Sequence, residues 1–148
     1  MHNRRILTFM AAIFAAFLTT GEAEAKTKLN AEVGIATQAG EASTDVAVRA
    51  GPSLDLLFLH VRPEIGARSL LDTGEIAGFV GGRVGIGAGV VPSLFAHGGT
   101  GTSGAYWDAG IGLDVTVIPK LEFGAQIGTL GFGDQAYLSM TVHGGLSF

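Results

Sequence analysis

The sequence predicts an all-β fold: eight antiparallel strands joined by tight turns into an up-and-down barrel. Three observations carry that expectation. Past the first 25 residues, apolar and polar side chains alternate in a chain rich in Val, Ile, Thr and Phe; successive strand residues point to opposite faces, so alternation makes one apolar and one polar face. Short clusters of Gly, Asp, Ser and Pro then cut this text into strand-sized pieces, as turns do. No stretch of the same region keeps apolar residues at i, i+3, i+4 and i+7 over three turns, which removes the helical alternative.

The N-terminal segment comes first. Arg4 and Arg5 precede an apolar run from Ile6 to Leu18, and Ala23-Glu24-Ala25 offers small residues at a cleavage site. That is the layout of a secretory signal peptide over residues 1–25, with cleavage after Ala25 and Ala23 as the neighbouring alternative. The run of thirteen residues falls short of the ~20 a membrane-spanning helix needs. Residues 26–148 are then one domain.

Eight strand segments follow: 28–38, 44–54, 57–69, 75–88, 92–98, 105–117, 120–130 and 135–148. Each has its two faces. The first sets Leu29, Val33 and Ile35 against Asn30, Glu32 and Gly34; the second sets Val46 and Val48 against Asp45 and Arg49. The third opposes Leu59, Val61 and Ile65 to His60, Arg62, Glu64 and Arg68, and the fourth opposes Ile76, Val80, Val84 and Ile86 to Glu75, Phe79 and Arg83. The fifth, opening on Pro92, alternates poorly. In the sixth, Trp107, Ile111, Leu113 and Val115 oppose Asp108 and Asp114; in the seventh, Leu121, Phe123 and Ile127 oppose Glu122 and Gln126. Charge lies on one face only throughout. The eighth sets Leu138, Met140, Val142, Leu146 and Phe148 against Tyr137, Ser139, Thr141, His143 and Ser147.

Periodicity alone does not say which face is inside. A soluble barrel would enclose Val33, Val61, Val84, Ile111 and Phe123 around an apolar ligand, in the manner of a lipocalin; a membrane barrel inverts this. Two compositional signals favour the inverted form. The charged faces also carry Gly34, Gly66, Gly81, Gly110, Gly112, Gly124 and Gly128, small residues suited to a narrow lumen. Only Lys26, Lys28 and Lys120 remain past residue 25, few for a solvated exterior. The last strand adds a third. Its alternation with Met140, Val142, Leu146 and a terminal Phe148 resembles the closing strand of small bacterial outer-membrane β-barrels of the OmpA/OmpX type. The resemblance covers the whole of 26–148 and rests on generic features. It implies an eight-stranded transmembrane barrel in the outer membrane of a Gram-negative bacterium, a monomer in contact with outer-membrane lipid. It also implies that Phe148, Leu146, Val142 and Met140 form an assembly signal read by the barrel-assembly machinery. Outer loops in that group are usually long and carry binding function; here every connection is short, which argues against an adhesin.

For the interior, the expected ion-pair set is Arg49, Arg62, Glu64, Arg68, Arg83, Asp108, Asp114 and Glu122, joined by Glu32, Asp45, Asp55 and Glu75. Buried charges are costly unless partnered, so the polar lumen is expected to plug itself; a small pore, with Arg62 and Arg83 against Glu64 as a gate, is the alternative. The net charge past residue 25 is −4, with no basic stripe for nucleic acid. There is no cysteine, hence no disulfide or thiolate site. His60 and His97 lack metal-ligand spacing, so no metal and no cofactor is expected. His143 with Ser139 or Ser147 is the only strand-borne His/Ser group and makes no nucleophile-base-orienter set, so no enzymatic activity is expected. The glycine run 81–89 precedes no helix and includes no Gly-Lys-Ser/Thr, which leaves it as strand rather than phosphate loop. Phe95, Tyr106, Trp107 and Phe123 are candidates for interfacial aromatics.

Overall fold

Each of the eight strands hydrogen-bonds to its sequence neighbours, and the last to the first, so the sheet closes into a barrel without an edge. The structure, a computed structural model, describes residues 25–148. The signal peptide expected over residues 1–25 lies outside them, apart from Ala25, where β1 begins. The strands are β1 (Ala25–Gln38), β2 (Glu41–Leu56), β3 (Leu59–Leu70), β4 (Glu75–Ile86), β5 (Val90–Gly101), β6 (Gly104–Ile118), β7 (Leu121–Phe132) and β8 (Gln135–Ser147). All pairings are antiparallel. The seam runs from Lys28↔Ser147 to Thr37↔Leu138, and reciprocal bonds between Thr27 and Phe148, at 2.9 and 3.2 Å, extend it to the C-terminus. Closure satisfies the backbone groups that an open sheet would leave unpaired.

The barrel has two ends. The proximal end carries Ala25, Phe148 and the turns at residues 57–58, 87–89 and 119–120; the distal end carries the turns at 39–40, 71–74, 102–103 and 133–134. Several expected boundaries move. β2 starts at Glu41, not Thr44, because Ala39 and Gly40, with φ of 51° and 89°, complete the turn in two residues. Leu57, expected to open the third strand, sits instead in a turn with φ 56°. A left-handed backbone costs an L-residue other than glycine roughly 1–2 kcal/mol. β5 is longer than expected, Val90–Gly101 against 92–98. Pro92 stands one residue beyond the last β4–β5 pair, Gly85↔Ser93, where a missing N–H interrupts no pairing on that side. Similarly, the β2–β3 ladder skips between Ala50↔Ile65 and Leu54↔Val61, across Pro52 and Pro63.

Which face is inside is now decided. Val33, Val84, Ile111 and Phe123, the expected lining of a soluble barrel, are exposed on the exterior, while Arg49, Arg62, Glu64 and Arg83 are buried within. The lipocalin-like alternative therefore fails: its cavity would hold charge. Inward glycines make the room. A Cβ at Gly112 would meet Arg83 Nη1 at 2.5 Å, and one at Gly124 would meet His143 Nε2 at 2.5 Å. Phe95 and Tyr106, considered as interfacial aromatics, are both buried in the lumen; Trp107 and Phe123 do face outward. Phe95 and Tyr106 share the inward phase of His97 and Asp108, and phase outranks residue type.

Candidate functional site

The lumen is filled in two layers. Period-two strands aim Arg49 (β2), Arg62, Glu64 and Arg68 (β3), Arg83 (β4), Asp108 and Asp114 (β6) and Glu122 (β7) at a common axis, and all are buried. Glu64 is the hub. Its Oε1 lies 2.8 Å from Arg62 Nε, 3.5 Å from Arg49 Nε and 3.8 Å from Arg83 Nε. Its Oε2 lies 2.8 Å from His97 Nε2. Side-chain exposure is 1% for both Arg49 and Glu64, which removes them from water, and Arg49 pairs more closely with Glu32 than with Glu64.

Two groups flank the hub. Toward the distal end, Arg68 reaches Glu32 at 2.9 Å, Asp45 at 3.1 Å and Asp108 at 2.5 Å, while Tyr106 donates to Asp108 at 2.8 Å. Toward the proximal end, Arg62 donates to Glu122 at 3.0 Å, and Lys28 also pairs with Glu122. Asp114 takes His143 Nε2 at 2.6 Å, with Arg62 and Arg83 each 3.6 Å away. Among the described residues Arg83 has no closer carboxylate: it donates instead to Ser93 at 3.0 Å and Gln126 at 2.5 Å, and stacks over Phe95 at 5.0 Å. Arg62 and Arg83 are direct cross-strand partners, like charges held apart by the carboxylates around them.

His97 joins the layers. Its Nδ1 is 2.5 Å from Asp108 Oδ1 while its Nε2 faces Glu64; two hydrogen bonds to ionised carboxylates form together only when the ring carries both protons. Its ring also packs against Phe79 at 4.8 Å. Beyond it, Phe79, Tyr106, Leu130, Phe132, Tyr137, Leu70, Ala36 and Ala77 form one buried apolar cluster across the distal lumen. Below the hub, a cavity of about 90 Å³ at the proximal mouth is lined by Lys28, His60, Arg62, Arg83, Asp114 and Glu122.

Other candidate residues fall elsewhere. Asp55 and Glu75, expected inside, stand at the rims: Asp55 pairs with His60 at 2.7 Å at the proximal end, and Glu75 accepts from Thr102 at 2.5 Å and from Ser103 at the distal end. Both lie at strand ends, where inward phase no longer means enclosure. Met140, Val142 and Leu146 are exposed on the exterior beside β1, opposite Ile35, Val33 and Leu29, and Phe148 is exposed past the end of β8. In the distal turn, the Thr44 backbone N–H reaches Asp72 at 2.6 Å and holds its carboxyl below the usual carboxylate range.

Sequence reasoning missed the part played by Gln126. Its amide donates to Glu32 at 2.8 Å and its oxygen accepts from Arg49 at 3.1 Å and from Arg83. Its place on the charged face was the available signal. His143 and Ser139 do not meet as a His/Ser pair: His143 is on Asp114, and Ser139 donates to Asp45 at 2.6 Å. Asp114, Glu122 and His143 present ligand-type atoms within 4.8 Å of one another. Arg62, Arg83 and Lys28 already neutralise those carboxylates, and a divalent ion would have to displace them.

No family model and no curated protein matches the sequence. Solved structures do match. The chain is similar to a de novo designed transmembrane β-barrel, with TM-score 0.58 and 18% identity over 83% of this chain and 95% of that one. It is similar to the neisserial surface protein NspA, with TM-score 0.56 and 12% identity over 83% and 95%. It is similar also to the Yersinia pestis outer-membrane protein Ail, with TM-score 0.55 and 12% identity over 84% and 100%. At these identities the likeness is one of fold, and the fold is the small eight-stranded barrel that the sequence resembled.

Proposed function

We propose that this protein is a resident of the bacterial outer membrane, inserted as a monomeric barrel whose self-plugged lumen neither conducts nor catalyses. One observation carries the reading: the exterior is a belt of exposed Leu, Ile, Val and Phe, and the arginines and most of the acids face inward. In water such a surface would be driven to associate; in hydrocarbon it is the solvated one. Strands of 12 to 16 residues exceed the ~9–11 needed to cross a bilayer. Within this reading Phe148, Leu146, Val142 and Met140 engage the assembly machinery while β8 seeks β1, and the role in the membrane is structural.

A pore is disfavoured by two stacked obstructions, the guanidinium–carboxylate layer around Glu64 and the apolar cluster around Phe132. The test is fractionation of expressing cells, followed by boiled and unboiled gel lanes. Retention in the outer-membrane pellet after a carbonate wash, with a heat-dependent mobility shift, is expected. Recovery in the soluble fraction without a shift would overturn the proposal. Val80→Arg, on the lipid face at the middle of β4, is expected to cost about 2–4 kcal/mol, as near the bilayer midplane, and to reduce insertion accordingly.

A further inference from the structure

Three segments meet at the proximal mouth through one side chain. His60, the second residue of β3, lies across from Asp55 of β2 on one side and Gly85 of β4 on the other. Its Nδ1 is 2.7 Å from Asp55 Oδ1, and its Nε2 is 2.8 Å from the carbonyl oxygen of Gly87, just past the end of β4. The turn it reaches, residues 87–89, is otherwise fastened by two backbone bonds. The Gly87 N–H donates to the Phe58 carbonyl and the Thr116 N–H to the Gly89 carbonyl, each at 2.9 Å. Gly89 and His60 both line the proximal cavity of about 90 Å³, so the place of this turn sets how that cavity meets water.

A backbone carbonyl only accepts, and so does an ionised carboxylate. The Asp55 side chain is 37% exposed, within reach of water, and is ionised wherever an imidazole titrates. Its Oδ1 also accepts from the Ser53 hydroxyl at 3.1 Å. Both bonds of His60 therefore exist together only on a ring that carries two protons. When the ring gives one up, one bond is lost, and their relative strengths decide which. A hydrogen bond to an ionised acceptor is about twice as strong as one to a neutral carbonyl, so the remaining proton stays on Nδ1. The bare Nε2 lone pair then faces the Gly87 oxygen, and that contact turns repulsive. The other charged groups around the cavity are Lys28 of β1, Arg62 of β3, Arg83 of β4, Asp114 of β6 and Glu122 of β7, while β5 brings only Val91 and Ser93. Those five pair with one another.

We propose that His60 is a proton-operated clasp on the proximal mouth: the charged ring holds the 87–89 turn beside the cavity, and the neutral ring, kept by Asp55, releases it. Acid fastens the mouth, and a rise in pH through the imidazole titration frees it. The Glu64 layer and the distal apolar cluster stay closed in both states, so the clasp controls entry to the cavity and not passage through the barrel. The device goes beyond the membrane reading and does not rest on it.

The test is nuclear magnetic resonance of the isotopically labelled barrel, folded in detergent micelles, across a pH series. Ring nitrogen shifts count the protons on His60, and the Gly87 carbonyl shift reports whether that oxygen still accepts. The protection factor of the Gly87 N–H, which removes the intrinsic pH dependence of exchange, reports the turn. The expected result is one shared midpoint for all three. Both ring nitrogens are protonated below it and only Nδ1 above it, with a roughly fivefold loss of Gly87 protection, the scale of one hydrogen bond. Asp55→Asn should abolish that loss, because its amide donates to Nδ1 and leaves the proton of a neutral ring on Nε2 for Gly87. Constant Gly87 protection through the His60 midpoint of the native chain would overturn the proposal, as would a neutral ring protonated on Nε2. An undiminished loss in Asp55→Asn would overturn it by assigning the titration to another group. If that variant does not fold, the native-chain measurement decides by itself.

Discussion

The proximal and distal halves of the lumen are enclosed by the same strands and filled in opposite ways. The proximal and middle layers hold Arg49, Arg62, Arg68 and Arg83 against buried carboxylates, whereas the distal layer is a cluster of Phe79, Tyr106, Leu130, Phe132 and Tyr137. The difference teaches where specificity and sealing reside. An apolar layer tolerates approximate fit and excludes ions. A charged layer in low dielectric is intolerant: each group must find its partner or cost several kcal/mol. Arg83 shows the limit of that rule, since its nearest carboxylates are 3.6 and 3.8 Å away and neutral Ser93 and Gln126 take its hydrogen bonds.

The largest effect should come from removing the hub. Glu64→Gln removes the negative charge that Arg49, Arg62, Arg83 and His97 share and turns one of its two acceptor oxygens into a donor, and should cost about 3–5 kcal/mol, read as a shift in urea unfolding of the inserted barrel. A loss below about 1 kcal/mol would mean that the arginines find other partners and that the layer is not organised around Glu64. Next is the apolar cap: Phe132→Ala should cost about 3 kcal/mol. Planar-bilayer recording of the same variant sharpens the contrast, because a current would make the cap the seal, while silence would show that the ion-pair layer also blocks. Smaller still, Arg83→Gln should cost about 1–2 kcal/mol, the scale of hydrogen bonds from a charged donor, and less than Arg68→Gln, whose three carboxylates lie at 2.5, 2.9 and 3.1 Å. Neutralising Arg62 together with Arg83 should lower stability or raise conductance; unchanged melting with no current would remove both roles.

The smallest effect belongs to the distal rim. The Asp72 carboxyl is depressed by the Thr44 N–H, so its contribution is present above the ordinary carboxylate range and is lost as pH falls through the lower folded value. Wild type and Asp72→Asn should therefore differ in melting temperature at neutral pH and converge once the pH has fallen through that lowered value. A difference that persists in acid would mean that the bond does not depend on ionised Asp72.

Much of the barrel was legible because its signals are local. Glu32, Asp45, Arg49, Glu64 and Asp108 could be assigned to one face from spacing alone, since alternation is a property of each strand by itself. The turns were less so. Ala39 and Leu57 adopt left-handed backbones that their residue types do not advertise, because the hairpin register, not local preference, sets the conformation. Phe95 and Tyr106 misled for a related reason: aromatics suit both an interface and a core, and only strand phase separates the two.

By itself, the sequence determined the existence of two chemically opposed faces and the number of strands that carry them; both follow from a period that neighbouring residues enforce. Which face is enclosed was hinted by glycine and lysine usage, and only ring closure decided it, because a two-residue period is symmetric about the sheet plane. The partners within the lumen are likewise a tertiary product. Glu122 on β7 meets Arg62 on β3, and Gln126 on β7 takes Arg49 from β2 and Arg83 from β4. Those contacts cross the barrel, and a linear pattern holds no information about what lies across a ring until closure sets its diameter.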